Sequence, residues 1–322
     1  MDIKRFHALA EQFSQKHILV MGDLMLDSYM WGQANRISPE APVPVVSVKE
    51  VTHNPGGAAN VGWNIASLSA NVNMAGVVGN DSHGEQLLTL MSERGMNVES
   101  VVRDTNRPTT VKTRVIANSQ QVVRTDFESL DELSNESLEA VQASVLKNIK
   151  DVDAIILADY NKGFFSEKMI GSILSIANEN NVPVYVDPKH DHFYLFKGVR
   201  LFKPNADEFD QAMNSANIED GGRALQKMLD VEFVLVTLGA SGMLLTTADE
   251  SIRISTKALA VHDVSGAGDT VISVFTLADL ARATPEEAAT MANLAAGRVC
   301  EEVGVVPIDL EMLTEMLNNH RN

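Results

Sequence analysis

The chain has 322 residues, 45% of them hydrophobic, and carries 26 Lys and Arg against 43 Asp and Glu for a formal net charge of −17. Without a dense basic block, that acidity argues against a nucleic-acid partner, whose phosphate backbone needs clustered cations. The single cysteine, Cys300, leaves no intrachain disulfide or multi-cysteine metal site and reads as a buried small hydrophobe.

Residues 2–16 read as a short amphipathic helix with Phe6, Leu9 and Phe13 on one face. They are too polar for a secretory signal, and no apolar run reaches the roughly 18 residues of a membrane span. A soluble, cytoplasmic protein with no membrane partner is expected. Ile18 to Met21 is a buried strand ending in Gly22-Asp23-Leu24-Met25-Leu26-Asp27. Ligands of open α/β sheets gather at the carboxyl ends of strands. Asp23 and Asp27 therefore stand either to accept hydrogen bonds from sugar hydroxyls or to cap a turn. Pro39, Pro42 and Pro44 interrupt residues 28–54, and Val43 to Val51 reads as a strand that leaves the main sheet. Arg36 in this segment reaches a ligand phosphate or pairs with Glu40. Gly56-Gly57-Ala58-Ala59-Asn60 then opens a helix through Leu68. Two glycines let backbone approach a ligand closely, and Asn60 can donate and accept toward hydroxyls.

Val72 to Val78 is the next strand and Ser82 to Arg94 the next helix. Residues 101–127 are again β-like, with Thr110 to Ile116 and Gln121 to Asp126 alternating apolar and polar, so that one face is covered and one is wet. Together with 28–54 they would form a small β-sheet lid, with Lys112, Arg114 and Arg124 on its inner face or simply solvated. From Ser134 strands and helices alternate, which predicts a mostly parallel sheet covered on both faces. The strand ends deliver Asp159-Tyr160-Asn161-Lys162-Gly163 and Asp187-Pro188-Lys189 to one rim. Leu201-Phe202-Lys203 leads to Pro204-Asn205-Ala206-Asp207-Glu208, where Asn205 and Glu208 make a capping box or order a divalent ion beside phosphates. Phe233 to Val236 ends at Thr237-Leu238-Gly239-Ala240-Ser241-Gly242, a turn with or without a nucleotide against Thr237, Gly239 and Gly242. Asn293 sits inside a helix from Thr284 to Val303, facing an adenine or bonded locally.

The most informative stretch is Asp263-Val264-Ser265-Gly266-Ala267-Gly268-Asp269-Thr270, between a β-like run at Ala258 to Val261 and an apolar helix from Val271 to Ala281. The first N–H groups of a helix lack internal partners and carry partial positive charge. Gly266 and Gly268 clear Cβ atoms from the approach of an anion. Asp269 placed there either caps the helix or takes a proton from a hydroxyl that attacks a phosphoryl group.

Gly56-Gly57-Ala58-Ala59-Asn60, Pro204-Asn205-x-x-Glu208 and Asp263 to Asp269 together resemble the ribokinase-like (PfkB) family of sugar kinases, from about Ile18 to Gly304. The segments Asn35 to Val46, Asp159-Tyr160-x-Lys162-Gly163 and Asp187-Pro188-Lys189 resemble more narrowly the kinases that phosphorylate D-glycero-D-manno-heptose 7-phosphate at C1 for lipopolysaccharide core assembly. Many of those carry a C-terminal nucleotidyltransferase domain with a His-x-Gly-His motif; this sequence contains no such motif and is expected to be one kinase domain, residues 1–322. The resemblance implies an α/β, ribokinase-like fold with a β-sheet lid. It implies Asp269 as general base and the N–H groups of Gly266, Ala267 and Gly268 as anion hole. Asn205, Ala206, Asp207 and Glu208, with Thr237, Gly239, Gly242 and Asn293, would serve ATP, and Glu208 would act on Mg2+ indirectly. Asp23, Asp27, Gly56, Gly57 and Asn60 would contact the sugar. Arg36, Lys162 and Lys189, with the lid cations, would meet its 7-phosphate or the ATP phosphates. Asp263 and Ser265 would lie near a monovalent cation such as K+. An exposed lid edge would pair two subunits into a homodimer. The alternatives are another sugar or nucleoside kinase and a non-catalytic binding regulator on the same fold.

Overall fold

The computed structural model describes residues 1–256, 264–302 and 304–319. In chain order its elements are α1 (Ile3–Ala10), β1 (His17–Gly22), β2 (Leu24–Ile37), β3 (Pro44–Gly57), α2 (Ala58–Ser67), β4 (Asn71–Gly79), α3 (Ser82–Glu93), β5 (Met96–Asp104), β6 (Thr110–Ala117) and β7 (Gln120–Phe127). Then follow α4 (Asn135–Asn148), β8 (Ala154–Ala158), α5 (Glu167–Glu179), β9 (Val184–Asp187), β10 (Leu201–Phe202), α6 (Ala206–Met213), α7 (Ile218–Leu229), β11 (Phe233–Thr237), β12 (Met243–Thr246), β13 (Ser251–Ile254), α8 (Ala267–Leu280), α9 (Pro285–Val299) and α10 (Leu310–Asn319).

Among the described residues nine strands form the main sheet in the order β13-β12-β11-β10-β9-β8-β1-β4-β5. It is parallel from β11 through β5, with β12 and β13 added as antiparallel edge strands. β1 is apolar in succession because side chains alternate faces and both faces are covered. Ile18 and Val20 join the core layer under α2, α8 and α9, whereas Leu19 and Met21 join the layer under α4 and α5. The start of α9 reads directly from sequence: Thr284 caps it, Pro285 is its first residue, and Thr284 and Glu287 complete a reciprocal capping box.

Helix α8 is buried along nearly its whole length. It is stitched to α2 by Thr270 Oγ1 on Asn64 Oδ1 at 3.1 Å and Ser273 Oγ on the Val61 carbonyl at 3.2 Å. At its far end Asp279 accepts from the Tyr185 hydroxyl at 2.5 Å and from Arg200 Nε at 2.6 Å.

The second sheet has four strands in the order β3-β2-β6-β7. It differs from expectation in three ways. β2 is continuous from Leu24 to Ile37, because Pro39 and Pro42 fall in the connection and Pro44 takes the first position of β3, where proline removes no ladder donor that matters. Val101 to Asp104 belong to β5 at the edge of the main sheet. β7 is exposed at every residue among the described residues, so the expected covered face is missing there. The helix at Thr284 ends at Val299 rather than Val303, and the strand read at Ala258 to Val261 lies outside the described residues. Among the described residues no helix is long and apolar enough to cross a membrane.

Candidate active site

The start of α8 is the centre of the site. Gly266, its N-cap, has φ +81°, and a Cβ there would come within 2.8 Å of Asn60 Nδ2, so both conformation and space call for glycine. No side chain caps the helix. A Cβ on Gly268 would stand 3.4 Å from Lys203 Nζ and 3.7 Å from Asp187 Oδ2, which puts a buried ion pair directly beside the helix mouth. Of the three amides expected to form an anion hole, that of Ala267 donates to the Val264 carbonyl at 3.3 Å in this structure.

Asp269, in the first turn, is buried. Its Oδ2 accepts from Asn60 Nδ2 at 2.6 Å, and its Oδ1 accepts from the Tyr160 hydroxyl. Burial pushes its pKa from 3.8 up to about 6; the Tyr160 and Asn60 hydrogen bonds and Lys203 pull the other way, while Asp187 adds to the rise. A carboxylate poised near neutrality at a helix mouth is suited to taking a proton. Burial, reinforced by Asp269, keeps the Tyr160 phenol protonated far above its ordinary range. Lys203, 2% exposed, pairs with Asp187 Oδ1 at 3.0 Å and supplies the nearest buried positive charge.

Asp23, expected to contact the sugar, accepts three backbone N–H groups. Its Oδ2 accepts the N–H groups of Tyr160 at 2.8 Å and Lys162 at 3.2 Å, and its Oδ1 that of Phe164 at 3.1 Å. Its carboxylate therefore holds the loop after β8. Burial, then the neighbouring Asp159, raises its pKa to about 6. Asp159 in turn accepts from the Asn161 N–H at 2.8 Å and contacts His192 Nδ1 at 2.8 Å.

Asn60, expected on a hydroxyl of the sugar, donates through Nδ2 to the carboxylate of Asp269. Gly57 has φ +59° at the start of α2, and a Cβ on Gly56 would meet Asp27 Oδ2 at 2.4 Å, so the glycine pair brings backbone against Asp27. The expected cations are mostly matched by acids. Arg114 pairs with Asp27, Lys112 with Asp126 at 3.1 Å and Glu128 at 3.4 Å, Lys162 with Glu128 at 2.7 Å, Arg124 with Asp126 at 2.9 Å, and Lys189 with Glu208. Arg36 is exposed near the outer end of β2, about 30 Å along an extended strand from Asp27, and is not brought to the site.

Asn205 and Glu208 form the reciprocal capping box of α6, with Glu208 Oε2 on the Asn205 N–H at 2.8 Å and Asn205 Oδ1 on the Glu208 N–H at 2.9 Å. Ala206 and Asp207 form the first turn after it. With its other oxygen on Lys189, Glu208 has both carboxylate oxygens engaged within the protein in this arrangement. Among the described residues no three His, Cys, Asp or Glu side chains stand together as a metal cage. Asp263, expected near a monovalent cation, lies outside the described residues, so Ser265 alone of that pair is placed.

Two cavities flank the helix mouth. One, of 340 Å3 and mainly apolar, is lined by Thr237, Gly239, Ala267, Gly268, Val271, Asn293 and, in its wall, the half-buried Cys300. Gly242 lies at the turn below it, where a Cβ would meet the Ile254 carbonyl at 2.0 Å. Asn293 clips the chain after β13, accepting from Thr256 Oγ1 at 2.8 Å and donating to the Ser255 carbonyl at 3.1 Å. The other cavity, of 650 Å3, is lined by Tyr29, Trp31 and Arg114 of the small sheet and by Ser265 and Gly304. Tyr29 and Trp31 stack there with ring centroids 5.9 Å apart, and the Arg114 guanidinium lies 5.2 Å from the Tyr29 ring.

Tyr160, Asp187 and Lys203 were given no role at the base by sequence reasoning. All three stand just after or at the carboxyl ends of adjacent strands β8, β9 and β10, and that shared position was the signal available.

The sequence matches the model of the pfkB family of carbohydrate kinases over residues 15–311. It is 38% identical to the bifunctional protein HldE of Desulfatibacillum aliphaticivorans over 326 residues, 99% of this chain and 67% of that protein. It is also 38% identical to the bifunctional protein HldE of Helicobacter pylori strain J99 over 308 residues, 94% of this chain and 66% of that protein. The chain thus spans about two thirds of the length of these relatives. Among solved structures, phosphofructokinase-2 from Escherichia coli in complex with substrates and products superposes with a TM-score of 0.81 at 18% identity, covering 95% of this chain and 99% of that one. Arabidopsis thaliana ribokinase complexed with ribose and ATP gives a TM-score of 0.70 at 21% identity, covering 94% and 98%. At these identities the structural likeness establishes a ribokinase-like fold.

Proposed function

The chain belongs to the pfkB family of carbohydrate kinases, and from that premise we propose that it transfers the γ-phosphoryl group of ATP to the anomeric C1 hydroxyl of D-glycero-D-manno-heptose 7-phosphate. The product is heptose 1,7-bisphosphate, a precursor of ADP-heptose and the lipopolysaccharide core. The observation that carries the reading is the placement of one glycine-lined helix start, bearing a carboxylate with a pKa near 6, between an apolar cavity and a cavity walled by aromatics and an arginine.

The apolar cavity takes the adenine end of ATP, with the phosphates directed at Gly268. The larger cavity takes the sugar phosphate, with the Tyr29 and Trp31 faces against its C–H surface and Arg114 exchanging Asp27 for the phosphate. Asp269 accepts the proton of the anomeric hydroxyl as its oxygen forms the bond to the γ-phosphorus. The bond from that phosphorus to the β,γ-bridging oxygen breaks, and ADP leaves with the electron pair. The Gly266 and Gly268 amides and Lys203 hold the charge that grows on the transferring group. Magnesium brought in with ATP neutralises phosphate charge. Closure of the small sheet over the sugar excludes water from the phosphoryl group. A pairing of two chains through the exposed small-sheet residues Val51, Val123 and Phe127 makes the working unit a homodimer.

The test is ADP release and product mass with heptose 7-phosphate, ribose and fructose 6-phosphate, each with Mg·ATP. The reading requires heptose 7-phosphate to be preferred in kcat/KM by at least about 100-fold, with a bisphosphate product. Preference for a sugar without a phosphate, or ADP release with none of the three, sinks it.

A further inference from the structure

The hydroxyl of Tyr160 has no part in the proton and phosphoryl transfers just described, yet it sits on the base. Resting on that functional reading, we propose that Tyr160 is a positioning residue for Asp269: with Asn60 it holds the buried carboxylate in one orientation and in its ionised form. Each carboxylate oxygen can accept two hydrogen bonds. Tyr160 takes one site on Oδ1 and Asn60 one on Oδ2, which leaves a second site on each oxygen for the acceptor hydroxyl.

The loop that carries Tyr160 is built for the purpose. Asp23 binds three of its N–H groups, at Tyr160, Lys162 and Phe164, and Asp159 binds a fourth, at Asn161. Asn161 adopts φ +54° and Gly163 φ +83°, and a Cβ on Gly163 would meet the Asp131 carbonyl at 1.9 Å. A loop fixed at so many points delivers its one aromatic hydroxyl to a single place.

Electrostatics give that hydroxyl its importance. Among the described residues the charged groups facing the base from the packed elements are Asp187 at the end of β9, Lys203 after β10, Lys189 beyond them and, against Tyr160, Asp27 of β2. Asp187 opposes ionisation of Asp269 and Lys203 favours it, but those two are themselves paired. The hydrogen bond from Tyr160 is the largest influence that favours the charged form. Because a phenol held neutral by burial can only donate to this carboxylate, it lowers the base's proton affinity without competing for the proton.

Tyr160→Phe keeps the ring and its contact with Lys189, 5.8 Å from the ring centroid, and removes only the hydroxyl. The experiment has two arms. In the first, the Asp269 carboxyl is titrated by carbon-13 NMR in the whole protein and in Tyr160→Phe, the signal being assigned by its loss in Asp269→Asn. The midpoint is expected to rise by about one pH unit. In the second, kcat/KM for the preferred sugar falls about fivefold at pH 6 and far less at pH 8.5, while KM for ATP is unchanged. The same midpoint in both proteins, an equal loss at both pH values, or undiminished kcat/KM at pH 6 overturns the proposal. If the unmodified protein phosphorylates no sugar, the functional reading has failed; the titration still decides whether Tyr160 tunes the carboxylate.

Discussion

Replacing the base should make this protein more stable as it makes it inactive. The folded pKa of Asp269 is about 6 against 3.8 for an unperturbed aspartate, so the folded state binds that proton more tightly than the unfolded chain does. Its contribution to stability is therefore fully present below pH 3.8 and is lost as pH rises through 6. At full ionisation the gap corresponds to about 3 kcal/mol against folding, and about half of it, roughly 1.4 kcal/mol, develops between pH 5 and pH 8. Asp269→Asn keeps the shape and removes the charge. Its carbonyl oxygen can accept from one donor, Tyr160 or Asn60, and its amide must then donate where a carboxylate oxygen accepted. A constant term from that rearrangement is expected, on top of a gain that depends on pH. The measurement is urea unfolding of both proteins at pH 5 and pH 8. The variant's advantage should widen by about 1.4 kcal/mol over that interval, or about 2 °C in melting temperature. Other groups titrate equally in the two proteins and cancel in the difference. An advantage unchanged between the two pH values would show that Asp269 has no raised pKa, and with it would go the account of Asp269 as a base poised near neutrality. Turnover of the variant should fall at least about 1000-fold, because Asp187, the carboxylate beside the helix mouth, is already paired with Lys203.

Gly268→Ala should be at least as stable as the parent, since alanine favours helix by about 1 kcal/mol, yet lose about 100-fold in kcat because the methyl stands between the phosphoryl group and Lys203; unfolding and steady-state kinetics on one sample separate the two effects. Lys203→Met strands a buried Asp187 and should destabilise by about 3–5 kcal/mol, most of it recovered in the double variant Lys203→Met with Asp187→Asn, as denaturant titration would show. Arg114→Met should raise KM for the phosphorylated sugar about tenfold or more and leave KM for ATP unchanged; a change confined to ATP would move the sugar phosphate out of the aromatic cavity.

The parts of this molecule that are local in sequence were legible in it. The run of βα units, the capping boxes at Asn205 and Thr284, and the glycines at Gly57 and Gly266 follow from patterns a few residues long, and the structure contains each of them. What could not be read were pairings between distant positions. Tyr160 and Asp269 are 109 residues apart, Asn60 and Asp269 are 209 apart, and nothing in either neighbourhood specifies the other. The same gap explains the cations. Lys112, Lys162 and Arg114 looked available to a phosphate because their acids, Glu128 and Asp27, approach from other strands and loops. Val101 to Asp104 were assigned to the small sheet because β propensity identifies a strand and says little about which neighbour it pairs with.

The anchoring of α8 has a consequence for how the enzyme can work. Its near end is tied to α2 through Asn64 and Val61, and its far end to the sheet through Asp279, Tyr185 and Arg200. A rod fastened at both ends can neither slide along its axis nor tilt without breaking buried polar contacts. The helix mouth is thus a fixed anvil, and the closure proposed for the small sheet would have to supply the travel that brings the two reactants together. Loosening the remote fastening, about 20 Å along the helix from its mouth, would blur the aim of the mouth while leaving every group in it intact.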